Sequence, residues 1–186
     1  MKKTALVVLS EGFEDIEAVA PIDVLTRSGV DVTIAAVASG PVKGAYGSAL
    51  VPHITIDGVR HLSDAIIIPG GLPHSETMAS NPRIVKLVRD HHAAGKLVAA
   101  VCAAPVLVLG EAAGLLKGIR ATGYPDYDGR LAACGAIVTG AYVTEDGNII
   151  TGMGAGAAIS FALQIAEYLV GKEIPDDLAG RWRISR

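Results

Sequence analysis

A chain of 186 residues that is 51% apolar has material for one substantial buried core and is too hydrophobic to be disordered. A formal net charge of −3 and an aromatic content of 4% exclude the basic, aromatic-rich footprint of a nucleic-acid binder, and Trp182, the one tryptophan, offers no stacking platform. No apolar stretch reaches membrane-spanning length, and Lys2-Lys3 precedes too short a run for an export signal, so a cytoplasmic setting with Cys102 and Cys134 reduced is expected.

With so few aromatics, the core must be built from Val, Ile, Leu and Ala, as in parallel sheets covered by helices. Residues 4–9 read as a central strand. Residues 13–28 carry helical spacing through Ile16, Val19, Ala20 and Leu25, with Pro21 expected to kink or divide the helix and Gly29 to end it. Residues 31–37 form a second strand, and 40–59 a loop-rich excursion with room for a short hairpin pairing 49–51 with 53–56. Residues 65–68 make a third core strand, closed by Pro69-Gly70-Gly71. Asn81 and Pro82 open a helix whose inner face holds Ile84, Leu87 and Val88, and Gly95 stops it.

Residues 97–101 are a buried strand, and a helix follows from Ala103, with Pro105 suited to its first turn. A short strand near 121–124 comes next, then strands at 137–138 and 142–150, the latter turning at Asp146-Gly147. A long apolar helix covers 155–170, and a short one follows Pro175. This alternation predicts an α/β fold, a mostly parallel sheet with helices on both faces. Ligands in such folds bind beyond the C-terminal strand ends. Three turns fall there, at 10–14, 69–72 and 102–105.

Cys102 stands at one of these strand-to-helix junctions, among free amide N–H groups and the positive end of a helix dipole, a setting that favours thiolate over thiol. Glu17 shares a helix stripe with Ala20, Pro21 and Val24. On an apolar face its carboxyl would be held neutral, able to donate to a sulfur anion and to act as general acid or base. On helix pattern alone, a solvated glutamate is favoured roughly two to one. Gly70 and Gly71 let the backbone approach a ligand closely. Their N–H groups, with that of Ala103, could form an oxyanion hole, against the commoner reading of a plain strand-to-loop turn.

None of the five histidines adjoins Cys102. His91 and His92 end a helix, where positive charge is favourable, and His74 is expected on a surface loop. No spacing fits a zinc site, so no metal is expected. Cys134 reads as small, inert packing. Residues 152–156, Gly-Met-Gly-Ala-Gly, superficially look like a phosphate loop but lack its Lys-Ser/Thr ending. Close packing or a helix start is the better reading, and no cofactor is expected.

Taken together, Glu14-Asp15-Ile16-Glu17, Pro69-Gly70-Gly71 and Ala99-Ala100-Val101-Cys102-Ala103-Ala104-Pro105 closely resemble the ThiJ/PfpI superfamily, and best its DJ-one branch, that of the parkinsonism-associated deglycase. The resemblance covers nearly the whole chain and implies a single domain over residues 1–186, of the class I glutamine-amidotransferase-like type. It implies a flavodoxin-like three-layer sandwich, a homodimer, and an oxidation-sensitive nucleophile at Cys102 with Glu17 as its protonated partner. Gly71 and Ala103 would supply N–H groups near the sulfur. The implied activity is cofactor-free conversion of methylglyoxal-type 2-oxoaldehydes, or deglycation of their amino-acid adducts, in stress protection. The alternative is a redox switch or chaperone with little turnover.

Four departures from the family pattern bear on the chemistry. Tyr124 stands where this branch often has a histidine, and a phenol is a poor base near neutral pH. Ala103 follows the cysteine where protease-like relatives carry histidine, which weakens a peptidase reading. No histidine occurs after His92, which removes the late His-x-Glu pair of amidotransferase relatives. Residues 152–156 replace a Ser/Arg/Pro-containing wall, and Arg27 matches a basic family position beside the pocket.

Overall fold

The computed structural model describes residues 2–184. In chain order its strands are β1 (Thr4–Leu9), β2 (Asp31–Ala36), β3 (Val42–Lys43), β4 (Ala49–Leu50), β5 (Ile54–Thr55), β6 (Ala65–Ile68), β7 (Leu97–Val101), β8 (Arg120–Ala121), β9 (Ile137–Val138), β10 (Val143–Asp146) and β11 (Ile149–Gly152). The helices are α1 (Asp15–Arg27), α2 (Leu72–Ser80), α3 (Pro82–Ala93), α4 (Asp128–Ala133), α5 (Ala158–Val170) and α6 (Glu173–Trp182), with a π-helical segment over Pro105–Ala112.

Along β1, Ala5, Val7 and Leu9 point to one face and Leu6 and Val8 to the other, and all five are buried. A strand apolar on both faces needs cover on both. Helices α1, α5 and α6 pack on the first face; α3 and the π-helical segment pack on the second. The result is a flavodoxin-like α/β sandwich. Its main sheet runs β10-β11-β7-β6-β1-β2-β5, parallel except for β10, which pairs antiparallel with β11. The chain winds outward from β1 through β2 to β5, then crosses back to β6, β7 and β11. The order therefore reverses between β1 and β6, and a crevice opens at such a reversal.

Several local expectations need correction. The short hairpin pairs β3 with β4, whereas β5 joins the main sheet parallel to β2. β2 offered a free edge, and an edge strand is satisfied best by another strand. Helix α1 runs unbroken through Pro21, which is buried and removes the hydrogen bond to the Glu17 carbonyl without dividing the helix. His91 is fully buried, with Nδ1 2.7 Å from the Leu87 carbonyl, and burial lowers its pKa, which opposes the positive charge expected at the helix end.

His74 is also corrected. It lies in α2, fully buried, with Nε2 3.1 Å from the Val8 carbonyl at the end of β1. Burial brings its pKa down to about 4, against the pull of the Val8 and Pro69 carbonyls. A histidine neutral when folded binds fewer protons than the unfolded chain between pH 6.5 and about 4. Its contribution to stability is therefore lost as pH falls through that window, by up to roughly 3 kcal/mol. Urea unfolding at pH 7 and pH 4.5 checks this: His74→Leu should show a smaller acid loss than the wild type. An unchanged pH slope would remove the assignment.

Candidate active site

The three turns beyond the sheet meet in one cavity of ≈ 380 Å³. Glu14 and Glu17 enter from the start of α1, Gly71 from the turn after β6, and Cys102 and Ala103 from the turn after β7. Tyr124, from the segment after β8, closes one side; its side chain is 45% exposed.

Cys102 has φ 65°, and it and Arg183 are the non-glycine residues with positive φ among the described residues. This left-handed conformation costs on the order of 1–3 kcal/mol and persists only where the surroundings enforce it. Here the Cys102 N–H donates to the Gly152 carbonyl at 3.0 Å, and its carbonyl accepts from the Tyr124 N–H at 2.8 Å. The strand is thus turned sharply at the cysteine. The N–H groups of Gly71 and Ala103 face the sulfur and favour its anion.

Glu17 is fully buried, which overturns the solvated reading favoured by the helix pattern. Glu14 is the N-cap of α1, its carboxylate accepting the Glu17 N–H at 2.8 Å, and the Glu14 N–H donates to the Gly70 carbonyl at 3.0 Å. These bonds seat the first turn of α1 against the glycine turn. Glu17 Oε2 then accepts the Gly70 N–H at 2.8 Å. The Gly70 donor is therefore already engaged, which corrects its assignment to an oxyanion hole and leaves Gly71 and Ala103 as the donors facing the sulfur.

The electrostatics also depart from a simple thiolate. Burial, aided by the Glu14 carboxylate, pushes the Glu17 carboxyl up to about 7. Burial and the Glu17 charge push the Cys102 thiol up to about 12, against the Gly71 and Ala103 N–H groups. The helix end that was expected to lower the thiol pKa does not outweigh these effects, because two anions cannot share one desolvated pocket. The pair behaves as one acid near neutrality. When the remaining proton sits on Glu17, the charge opposing the thiolate disappears and the N–H groups favour it.

Gly70 sits between the two groups. A Cβ there would lie 2.5 Å from the Cys102 Cβ and 3.1 Å from its Sγ, and would also collide with Glu17 Oε2. Gly70→Ala should therefore separate the pair, destabilise the fold by roughly 1–3 kcal/mol through overpacking, and lower any Cys102-dependent rate. Thermal melts and the Cys102 alkylation rate measure both effects. Wild-type values for both would contradict the geometry.

The sequence reading missed part of the wall. Tyr46 and Ala45 reach the cavity because the Asp15 carboxylate accepts the Tyr46 and Ser48 N–H groups at 2.9 and 2.8 Å, folding the β3–β4 loop onto α1. Leu72, Pro73 and Tyr127 complete the rim, and Tyr127 lies 6.3 Å from Tyr124 between ring centres. Arg27 lies elsewhere: it pairs with Asp23 at 2.9 Å and stacks over Trp182 at 5.6 Å, away from the cavity. Cys134 caps α4, half-buried beside the second core cluster. Residues 152–156 prove to be both packing and site wall. A Cβ on Gly152 would press on Val101 at 2.9 Å, and one on Gly154 would lie 3.6 Å from the Tyr124 ring and 3.8 Å from Glu17 Oε1.

Comparison with known proteins places the chain in a family. The model of the DJ-1/PfpI family matches residues 3–168. The chain is 39% identical over 179 residues to Protein DJ-1 homolog A of Arabidopsis thaliana, covering 95% of this chain but 45% of that protein, so it spans less than half the length of that relative. It is 35% identical over 179 residues to the glutathione-independent glyoxalase DJR-1.2 of Caenorhabditis elegans, covering 95% and 94% of the two chains. The crystal structure of Drosophila melanogaster DJ-1beta superposes with a TM-score of 0.93 at 34% identity over the whole of both chains. Motifs, fold and similarity converge: the chain belongs to the DJ-1/PfpI family.

Proposed function

We propose that this protein is a cofactor-free glyoxalase and deglycase of stress protection, converting methylglyoxal-type 2-oxoaldehydes, or their amino-acid adducts, to hydroxy acids. The observation that carries the reading is the Cys102 sulfur held between two backbone N–H donors and a buried carboxyl whose pKa is about 7. A carboxyl titrating near working pH is suited to moving a proton in both directions. The glyoxalase named among the relatives supports the same chemistry.

In this mechanism the Cys102 thiolate, formed with the proton on Glu17, adds to the aldehyde carbon. The resulting oxyanion accepts hydrogen bonds from the Gly71 and Ala103 N–H groups and takes up a proton to give a hemithioacetal. Glu17, now a carboxylate, removes the hydrogen from the former aldehyde carbon, and the electron pair flows to the neighbouring carbonyl to form an enediol. Return of the proton to that neighbouring carbon gives a thioester of the hydroxy acid. Water cleaves the thioester, releasing lactate from methylglyoxal and restoring the thiol. The Tyr124 hydroxyl, at the cavity wall, hydrogen-bonds a substrate oxygen rather than acting as base.

Methylglyoxal consumption without glutathione, followed by NMR in heavy water, tests the scheme. Lactate should appear with deuterium at the carbon bearing the hydroxyl. No lactate at millimolar aldehyde would exclude it.

A redox-switch reading draws on the same donors. Two equivalents of peroxide, each reduced to water, would take the Cys102 thiol to a sulfinate whose oxygens accept from Gly71 and Ala103 N–H and from protonated Glu17. A stable two-oxygen adduct by intact mass, without aldehyde turnover, would favour it. We also propose a homodimer formed through the apolar groove between α1, α5 and α6, where Ile16 is 54% exposed and Val19 and Ile159 lie beside it. Light scattering that reports a monomer at micromolar concentration would rule this out.

A further inference from the structure

The Cys102 cavity is not the end of the crevice. Beyond Tyr124 lies a second cavity of ≈ 370 Å³, and the two share Tyr124 and Ala155 as common walls. At ≈ 380 Å³ the first cavity already exceeds what a three-carbon aldehyde requires, so the adjoining volume serves no purpose for methylglyoxal alone.

Gly154 and Gly156 line the second cavity. Gly152 is held to glycine by close neighbours and a Cβ on Gly154 would meet only ordinary contacts, but one on Gly156 would touch nothing within 4 Å. That glycine leaves space which packing does not demand. Around the space stand Tyr124, Tyr142 and Met153, two aromatic faces and an adaptable thioether. Tyr142 is 66% exposed, so its ring is open to an occupant of the cavity. The charged residue here is Asp126, and those of the first cavity are Glu14 and Glu17. Neither lining contains Lys, Arg or His, so nothing there would balance a carboxylate on the occupant.

We propose that this second cavity is a substrate subsite that takes an aryl or alkyl arm carried on the ketone carbon of a 2-oxoaldehyde while Cys102 engages the aldehyde. The preferred substrates are then uncharged 2-oxoaldehydes with an apolar arm, and anionic ones such as 4,5-dioxopentanoate are poor. The inference rests on the aldehyde-processing reading of Cys102, and its test separates the two.

The experiment compares phenylglyoxal with methylglyoxal in wild type and in Gly156→Leu, whose side chain would fill the subsite from an exposed turn. Alongside it, the Cys102 alkylation rate with N-benzyliodoacetamide is compared with that of iodoacetamide by intact mass, using Cys102→Ser to identify the labelled thiol. In wild type the kcat/KM ratio of phenylglyoxal to methylglyoxal should be at least about tenfold, and Gly156→Leu should lower it by about the same factor. The benzyl-to-plain alkylation ratio should fall in parallel. Tyr142→Ala, which removes a wall instead of filling the space, should lower both ratios through a different lesion. If both aldehydes turn over but neither variant moves either ratio, the subsite is overturned and the aldehyde reading stands. If neither aldehyde is consumed but the alkylation ratio falls as expected, the aldehyde reading fails and an apolar subsite beside Cys102 stands.

Discussion

Replacing Cys102 by serine should abolish methylglyoxal turnover, lowering kcat by at least about 10³-fold, while the melting temperature stays within a few degrees of wild type. The two halves of this result have different causes. A hydroxyl is nearly the size of a thiol, and the same Gly71 and Ala103 N–H groups and Glu17 carboxyl can satisfy it, so the site keeps its shape. The backbone bonds to Gly152 and Tyr124 that impose the left-handed conformation are main-chain bonds, indifferent to the side chain. Chemistry is lost because a serine hydroxyl is far less acidic than a thiol, and no histidine stands among the cavity residues to take its proton. Steady-state kinetics and a thermal melt on the same preparation check both. A serine variant with full activity would end the covalent mechanism. A variant that unfolds would show that the thiol is a packing group, and Cys102→Ala would then be expected to unfold as well.

Glu17→Gln should be nearly as damaging to turnover, by about 10²–10⁴-fold in kcat, because an amide cannot carry a proton between carbons. Its effects on the thiol and on stability run the other way. In the wild type the first proton released near pH 7 is shared by the pair, and a second anion is opposed. The alkylation rate of Cys102 should therefore level off above neutrality at the fraction of pairs that carry their proton on Glu17. With glutamine no second charge exists, and the rate should rise through one simple titration to a higher plateau.

The stability prediction depends on sign. A carboxyl whose pKa is raised to about 7 in the folded state, from 4.5, binds more protons folded than unfolded between those values. Stability must then fall as pH rises through that window and stay low above it, by up to roughly 3 kcal/mol. Glu17→Gln removes this loss, so the variant should gain stability over wild type at pH 8 but not at pH 4. Denaturant melts at the two pH values measure the difference. A pH-independent difference would mean that Glu17 titrates normally in the fold. His74 drives stability in the opposite direction over an overlapping range, so the two variants should tilt the wild-type profile oppositely.

Much of this architecture was legible from residue order. The strands at residues 4–9, 65–68 and 97–101 are short apolar runs bounded by turn residues, and local pattern suffices for such segments. The helix beginning at Pro82 follows from Asn81, whose side chain caps the N–H groups of Arg83 and Ile84. What escaped was nonlocal. Helix α2 has mixed polarity and a proline near its start, so its pattern is weak; the tertiary bond from His74 to Val8 helps to seat it. The pairing of β3 with β4, and of β5 with β2, was decided by the open edge that β2 presented.

The site divides along the same line. Sequence alone determined which residues are chemically unusual: a cysteine at a strand-to-helix junction, a glutamate on an apolar helix stripe, and a glycine pair after a buried strand. These are properties of neighbours in the chain, where period and turn chemistry act. Only the tertiary structure decided that Glu17 is desolvated, that it takes the Gly70 N–H away from any substrate, and that its charge raises the thiol. Burial and Coulomb interactions depend on distances between segments 53 and more residues apart, and no local pattern encodes those distances.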